Sequence, residues 1–181
     1  EELRSNVVGA QLGAQAISTS VKAGIAGLVL VFLLMCFLYL LPGLASSLAL
    51  VIYTGLVLVI LNAFDITLTL PGLAGIILGI GMAVDANVII FARVKEEMSK
   101  GRSVRNSLKE GFHKAMSAIV DGNVTTLIAA AVLWLKGSGS VKGFAQTLAI
   151  GIIVSMFTAL VITRMIVYAF YAVGIHSEKL Y

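Results

Sequence analysis

Charge is scarce in these 181 residues: Asp, Glu, Lys and Arg make up 12% of the chain, about half the share of an average soluble domain. That leaves too little polar surface to clothe a compact body in water, so an ordinary soluble enzyme is excluded. A hydrophobic fraction of 59% excludes disorder as well. Cysteine occurs once, as Cys36 inside VLVFLLMCFLYL, so no internal disulfide can form and the thiol reads as packing. The two histidines, His113 and His176, sit at the edges of apolar runs without partners at ligand spacing, and no metal is expected. No glycine-rich loop ends in Lys-Ser or Lys-Thr, so ATP chemistry is not carried here. Ser117 and Ser155 lack a base nearby in sequence, and neither a catalytic residue nor an enzymatic activity is expected.

Apolar length is what the chain has. Five stretches reach the roughly 20 residues needed to cross a bilayer: 23–41, stopped by Pro42-Gly43; 44–64, stopped at Asp65; 71–92, containing Asp85; 115–135, containing Asp121; and 143 to about 173, containing Arg164. An open sheet leaves its backbone unpaired in lipid, so these spans are expected to be helices. The fold class is an all-α integral membrane bundle of five transmembrane helices. Pro42-Gly43 makes the first two a hairpin, and Pro71 suits a first helical position.

The formal net charge of +4 does not point to nucleic acid. Seven of the 13 Lys and Arg fall in residues 93–114, RVKEEMSKGRSVRNSLKEGFHK, which the positive-inside rule makes a cytoplasmic loop. The N-terminus is then outside and the C-terminus inside. Residues 1–20 read as the end of an extracytoplasmic domain, 21–174 as the transmembrane domain and 175–181 as a cytoplasmic tail. With no initiator Met or signal-like charge pattern, the chain reads as the end of something longer. Val94 and Met98, then Val104, Leu108 and Phe112, make an apolar stripe either side of Lys100-Gly101-Arg102. That stripe suits the anionic leaflet or a partner, or the loop only sets topology.

Small residues recur every four positions: Gly143, Thr147, Gly151, Ser155, Ala159 and Thr163; Gly75, Gly79 and Ala83; Ala118, Gly122, Thr126 and Ala130. Such ridges let helix backbones approach closely. The last three spans are therefore expected to form the compact core, with the first two facing lipid.

Asp85, Asp121 and Arg164 interrupt apolar helices, and an ionised group at a helix centre costs roughly 2.5–3.5 kcal/mol to insert. Counting from the charged loop, both aspartates lie about 10–12 Å deep and Arg164 near 15 Å from its helix end, one layer joined by Asn87, Asn123, Thr125 and Thr126. One reading is a proton or cation relay of Asp85, Asp121 and Arg164, since small movements beside an Arg change a carboxylate's proton affinity. The other is a polar cluster fixing helix register, with Arg164 snorkelling to the headgroups.

GIGMAVDANVIIFARVKEE (79–97), DGNVTTLIAA (121–130), VKGFAQTLAIGIIVSMFTALVITR (141–164), LTLPGLAGI (68–76) and VVGAQLGAQAI (7–17) resemble the SecD family of bacterial protein-export membrane subunits. The resemblance covers nearly the whole chain. It implies a multidrug-exporter-like (RND) transmembrane unit lacking its first helix, with 7–17 as the end of a strand. It also implies SecF as partner, a SecY-type Sec translocon beside them, contact with exported polypeptide through a periplasmic domain outside this chain, and surrounding membrane lipid. The location implied is the bacterial inner membrane, and the role is to couple proton-motive force to protein export. Asp85 matches the family's intramembrane Asp implicated in proton movement; Asp121, Asn123 and Arg164 match its polar layer. Ala92 stands where the family usually has Glu, so that carboxylate's contacts are missing, and Gly122 is smaller than the usual Ala or Ser. No cofactor is expected, and Asp, Asn and Thr oxygens suit either H⁺ or Na⁺ as coupling ion. Two alternatives stand: a small-molecule exporter of the same superfamily, and a structural partner of SecF or the translocon that conducts nothing.

Overall fold

The computed structural model describes residues 2–173, with side chains from Gln15 onward; the expected tail and His176 lie outside the described residues. The described chain is all helical. Its elements are α1 (Glu2–Ala63), α2 (Leu70–Ser99), α3 (Val104–Lys136) and α4 (Ser140–Ala172), and α4 contains a π-helical stretch, Thr158–Thr163. All four are long and apolar enough to cross a membrane. The count is four and not the expected five because the first two spans both lie within α1. Residues 7–17, expected as the end of a strand, are helical instead. No strand exists among the described residues to pair with one, and a helix lets each amide bond within its own segment.

Inside α1, Leu40 has φ 45° and ψ −108°, two residues before Pro42. In a straight helix Met35 and Gly43 stand roughly 12 Å apart. Here a Cβ on Gly43 would collide with the Met35 carbonyl oxygen. The chain therefore turns back on itself at Leu40, and only glycine permits this approach of backbone on backbone. Ser46 and Ser47 both donate to the Gly43 carbonyl, at 2.9 and 2.8 Å.

Hydrophobic burial does not hold helices together in lipid; close packing does. Gly75 meets Thr147 and the Phe144 carbonyl, and Gly79 faces Gly151, where a Cβ would lie 3.7 Å from the Gly151 Cα. Gly143, Thr147, Gly151, Ser155, Ala159 and Thr163 are all buried. Tyr53, from the second arm of α1, inserts its hydroxyl between Gly79 and Gly151, and Ala45, Leu50, Val57 and Leu61 are buried with it. The core is thus α2, α3 and α4, as expected of the last three spans, together with the second arm of α1, which corrects the expectation that both early spans are the more lipid-facing.

The small-residue ridge of α3 is corrected in its first half only, since Ala130 is buried with Leu148 and Ile152 and Thr126 is half-buried. Ala118 and Gly122 are exposed, and nothing lies within 4 Å of a Cβ on Gly122. The face of α3 that turns inward carries Val104, Leu108, Phe112, Ala115 and Ile119, and Ala118 lies about 100° round the helix from Ile119.

The charged segment 93–114 is mostly helix, as the ends of α2 and α3 continue through it and Gly101, at φ +77°, makes the turn between them. Val94, Val104, Leu108 and Phe112 are buried, with Gly111 against the Val94 backbone. The apolar stripe is spent on closing this helical hairpin, so it faces neither a leaflet nor a partner.

Candidate functional site

Asp85 is exposed on the outward side of α2, whereas Asn87, two residues on, is buried on the opposite side. Two residues of helix turn a side chain by about 200°, so the two cannot share a cluster. Asn87 donates to the Ala83 carbonyl at 3.2 Å, and its Oδ1 has no partner. Gly111 packs on Val94, and following that antiparallel register sets Asp121 within about one residue of the height of Asp85. Asp121 is exposed too, its carboxylate receiving the Ser117 hydroxyl at 3.3 Å. Thr125 and Thr126 donate to the Asp121 and Gly122 carbonyls, and Asn123 to that of Ile119; these groups bond their own helix.

Arg164 stands apart. The pairing of Gly75 with Thr147 and of Gly79 with Gly151 makes α2 and α4 parallel at constant offset. Carried forward, it sets Arg164 beside Ala92, about seven residues or roughly 10 Å nearer the charged end than Asp85. Its guanidinium lies over the Tyr168 ring, 5.8 Å from the centroid. None of the ion pairs among the described residues involves Asp85, Asp121 or Arg164. Two carboxylates therefore share one height on the outward surface without an ion pair among the described residues. The π-helical stretch ends immediately before Arg164, held by Thr158, which donates to the Val154 and Ser155 carbonyls.

Sequence reasoning missed Glu97. It lies beyond the apolar part of α2, in the charged segment, and its side chain is fully buried. Lys114 reaches it at 2.6 Å, Lys100 at 2.8 Å and Arg102 at 3.1 Å. The hydrogen bonds from Lys100 and Lys114 hold its carboxyl down at about 2, and those same contacts with Glu97 and Glu96 push Lys100 up. The available signal was the helical spacing of Ile90, Val94 and Glu97, which puts the carboxylate on the buried face. Among the described residues no three His, Cys, Asp or Glu gather where a metal could sit.

A family model described as protein export membrane protein SecD/SecF, C-terminal, matches residues 1–173. The chain belongs to the SecD/SecF family. It is 51% identical over 166 residues to the protein translocase subunit SecD of Acidaminococcus fermentans, covering 92% of this chain and 40% of that protein. It is 46% identical over 165 residues to the protein translocase subunit SecDF of Bacillus subtilis, covering 91% of this chain and 22% of that one. The crystal structure of SecDF, a translocon-associated membrane protein, from Thermus thermophilus superposes with a TM-score of 0.88 at 39% identity, over 91% of this chain and 23% of that one. The SecD/SecF chain described here thus spans less than half the length of these relatives. It corresponds to the C-terminal membrane portion of SecD, a multi-pass membrane unit.

Proposed function

We propose that this chain is the membrane portion of an accessory subunit of the Sec protein-export machinery that couples the proton-motive force to translocation. Asp85 carries the proposal. An ionised carboxylate facing lipid is costly, and this one has no ion pair among the described residues. It must take up a proton or meet a cation or water path supplied by a partner, and alternation between those states is proton transfer. Asp121, at the same height, is the second carrier, while Arg164 is too near the charged end to be its fixed counter-ion.

The arms of α1 are proposed to cross separately, giving five crossings. Gly24 packs on Ile77, and the Leu38 carbonyl accepts from Lys95 at 3.2 Å, so the first arm runs parallel to α2, and the reversal at Leu40 makes the second antiparallel. This supports an RND-type unit without its first helix, with the basic hairpin cytoplasmic and the N-terminus outside the inner membrane. The outward carboxylates fit a partner such as SecF, and the translocase names of the relatives support a SecY-type channel and exported polypeptide as further partners. Neither an enzymatic activity nor a bound cofactor belongs to this reading.

The test is export of a secretory protein into vesicles carrying the full-length subunit, under an imposed proton or sodium gradient. Asp85→Asn is expected to assemble normally and lose proton-gradient stimulation, with Asp121→Asn milder. Stimulation by sodium alone would replace the ion, and wild-type stimulation of Asp85→Asn would reassign the carboxylate to fixing a partner helix.

A further inference from the structure

We infer that the charged end of the molecule binds the headgroup of an anionic phospholipid, between the first turns of α3 and the end of α4. A cavity of about 600 Å³ there is lined by Arg105, Asn106, Lys109, Arg164 and Tyr168. Three cations from two helices converge on it, no acid lines it, and none of the three has an ion pair among the described residues. The other cations nearby are differently placed: Lys100, Arg102 and Lys114 close on Glu97, and Arg93 closes on Glu96. Glu110 lies 4.0 Å from Arg102 and borders the adjoining cleft, which it shares with His113 and with Lys109 and Arg164 on the wall between the two. Glu96 and Glu97 thus serve the hairpin, and the cavity on its far side holds three cations that pair with no acid among the described residues.

Like charges held together repel unless an anion joins them. A phosphodiester suits these groups, since a guanidinium donates to two phosphate oxygens at once. Ser103 provides no side-chain cap for α3, so the first amides of that helix add their positive end to the site. Height selects a lipid over a free anion. Arg164 lies level with Ala92, where the apolar part of α2 ends, and exposed Val161 and Met116 continue the wall toward the membrane interior as a surface for acyl chains. Tyr168 is a residue type that favours this interface. The inference rests on the membrane setting of the helices and is independent of what Asp85 does.

The experiment is native mass spectrometry of the full-length protein in neutral detergent, titrated with phosphatidylglycerol, phosphatidylcholine or inorganic phosphate. Wild type should retain phosphatidylglycerol in preference to phosphatidylcholine. Each cation near an anionic surface contributes roughly fivefold, so Arg105→Gln/Lys109→Gln, both at exposed positions, should weaken retention about 25-fold. Adding Arg164→Gln should bring the loss to roughly a hundredfold, and Lys136→Gln/Lys142→Gln at the opposite end should change nothing. Equal retention of the two lipids, displacement by equimolar phosphate, or unchanged binding by the double variant would each overturn the assignment.

Discussion

A methyl group at Gly79 would run into the Tyr53 hydroxyl, while the same methyl at Gly122 would meet nothing within 4 Å. Overpacking a close helix contact costs about 1–3 kcal/mol, whereas an exposed change stays within about 0.5 kcal/mol. Thermal unfolding in detergent should therefore show Gly79→Ala destabilised and Gly122→Ala unchanged or slightly stabilised, since alanine suits an open helix position better than glycine. Tyr53→Phe should relieve much of the Gly79→Ala penalty in a double-mutant cycle, because the hydroxyl it removes has no partner among the described residues. Equal stability of the two alanine variants would remove the distinction between the ridges. Both ridges are legible in the sequence as small residues every four positions, but spacing does not say which way a ridge faces. On α3 that is decided by Leu108, Phe112 and Ile119, whose larger side chains take the inner face. Asp85 was legible for a different reason: a charge in an apolar run is conspicuous whatever its direction.

The hairpin of α2 and α3 is locked by one carboxylate. Glu97 has a carboxyl lowered from an ordinary 4.5 to about 2, so its contribution is fully present above about 4.5 and is lost as pH falls toward 2. Wild type should lose stability across that window, followed by hydrogen exchange at the 99–104 turn, and Glu97→Gln should be less stable at neutral pH with a flatter acid profile. An unchanged acid profile in Glu97→Gln would mean that the three cations do not hold the turn. The segment was legible as two helical pieces about a glycine break, from the spacing of Val94, Val104, Leu108 and Phe112. The role of Glu97 was not, because Lys114 is 17 residues away and only the folded hairpin brings it to the carboxylate. The long reach of α1 was hidden likewise: Pro42-Gly43 announces a stop, but the reversal falls at Leu40, where Gly43 can lie against the Met35 carbonyl.

Taken whole, the molecule turns the small-residue ridges of α2 and α4 inward and leaves two carboxylates outward at one height. A self-sufficient bundle would turn such groups in or pair them. Their exposure, with Arg164 roughly 10 Å away along the axis, is the arrangement expected of half a site that a second membrane unit completes. The relatives' greater length leaves room for that completion, since this chain covers 40% of one and 22% of another. The most direct measurement is proton entry into proteoliposomes holding the full-length protein with its partner subunit, followed with an enclosed pH-sensitive dye under an imposed membrane potential. About 2.3 kcal/mol is available per charge for each 100 mV. If Asp85 carries the proton, wild type should acidify the lumen, Asp85→Asn should abolish the flux and Asp85→Glu should restore part of it. Flux through Asp85→Asn equal to wild type would contradict the assignment.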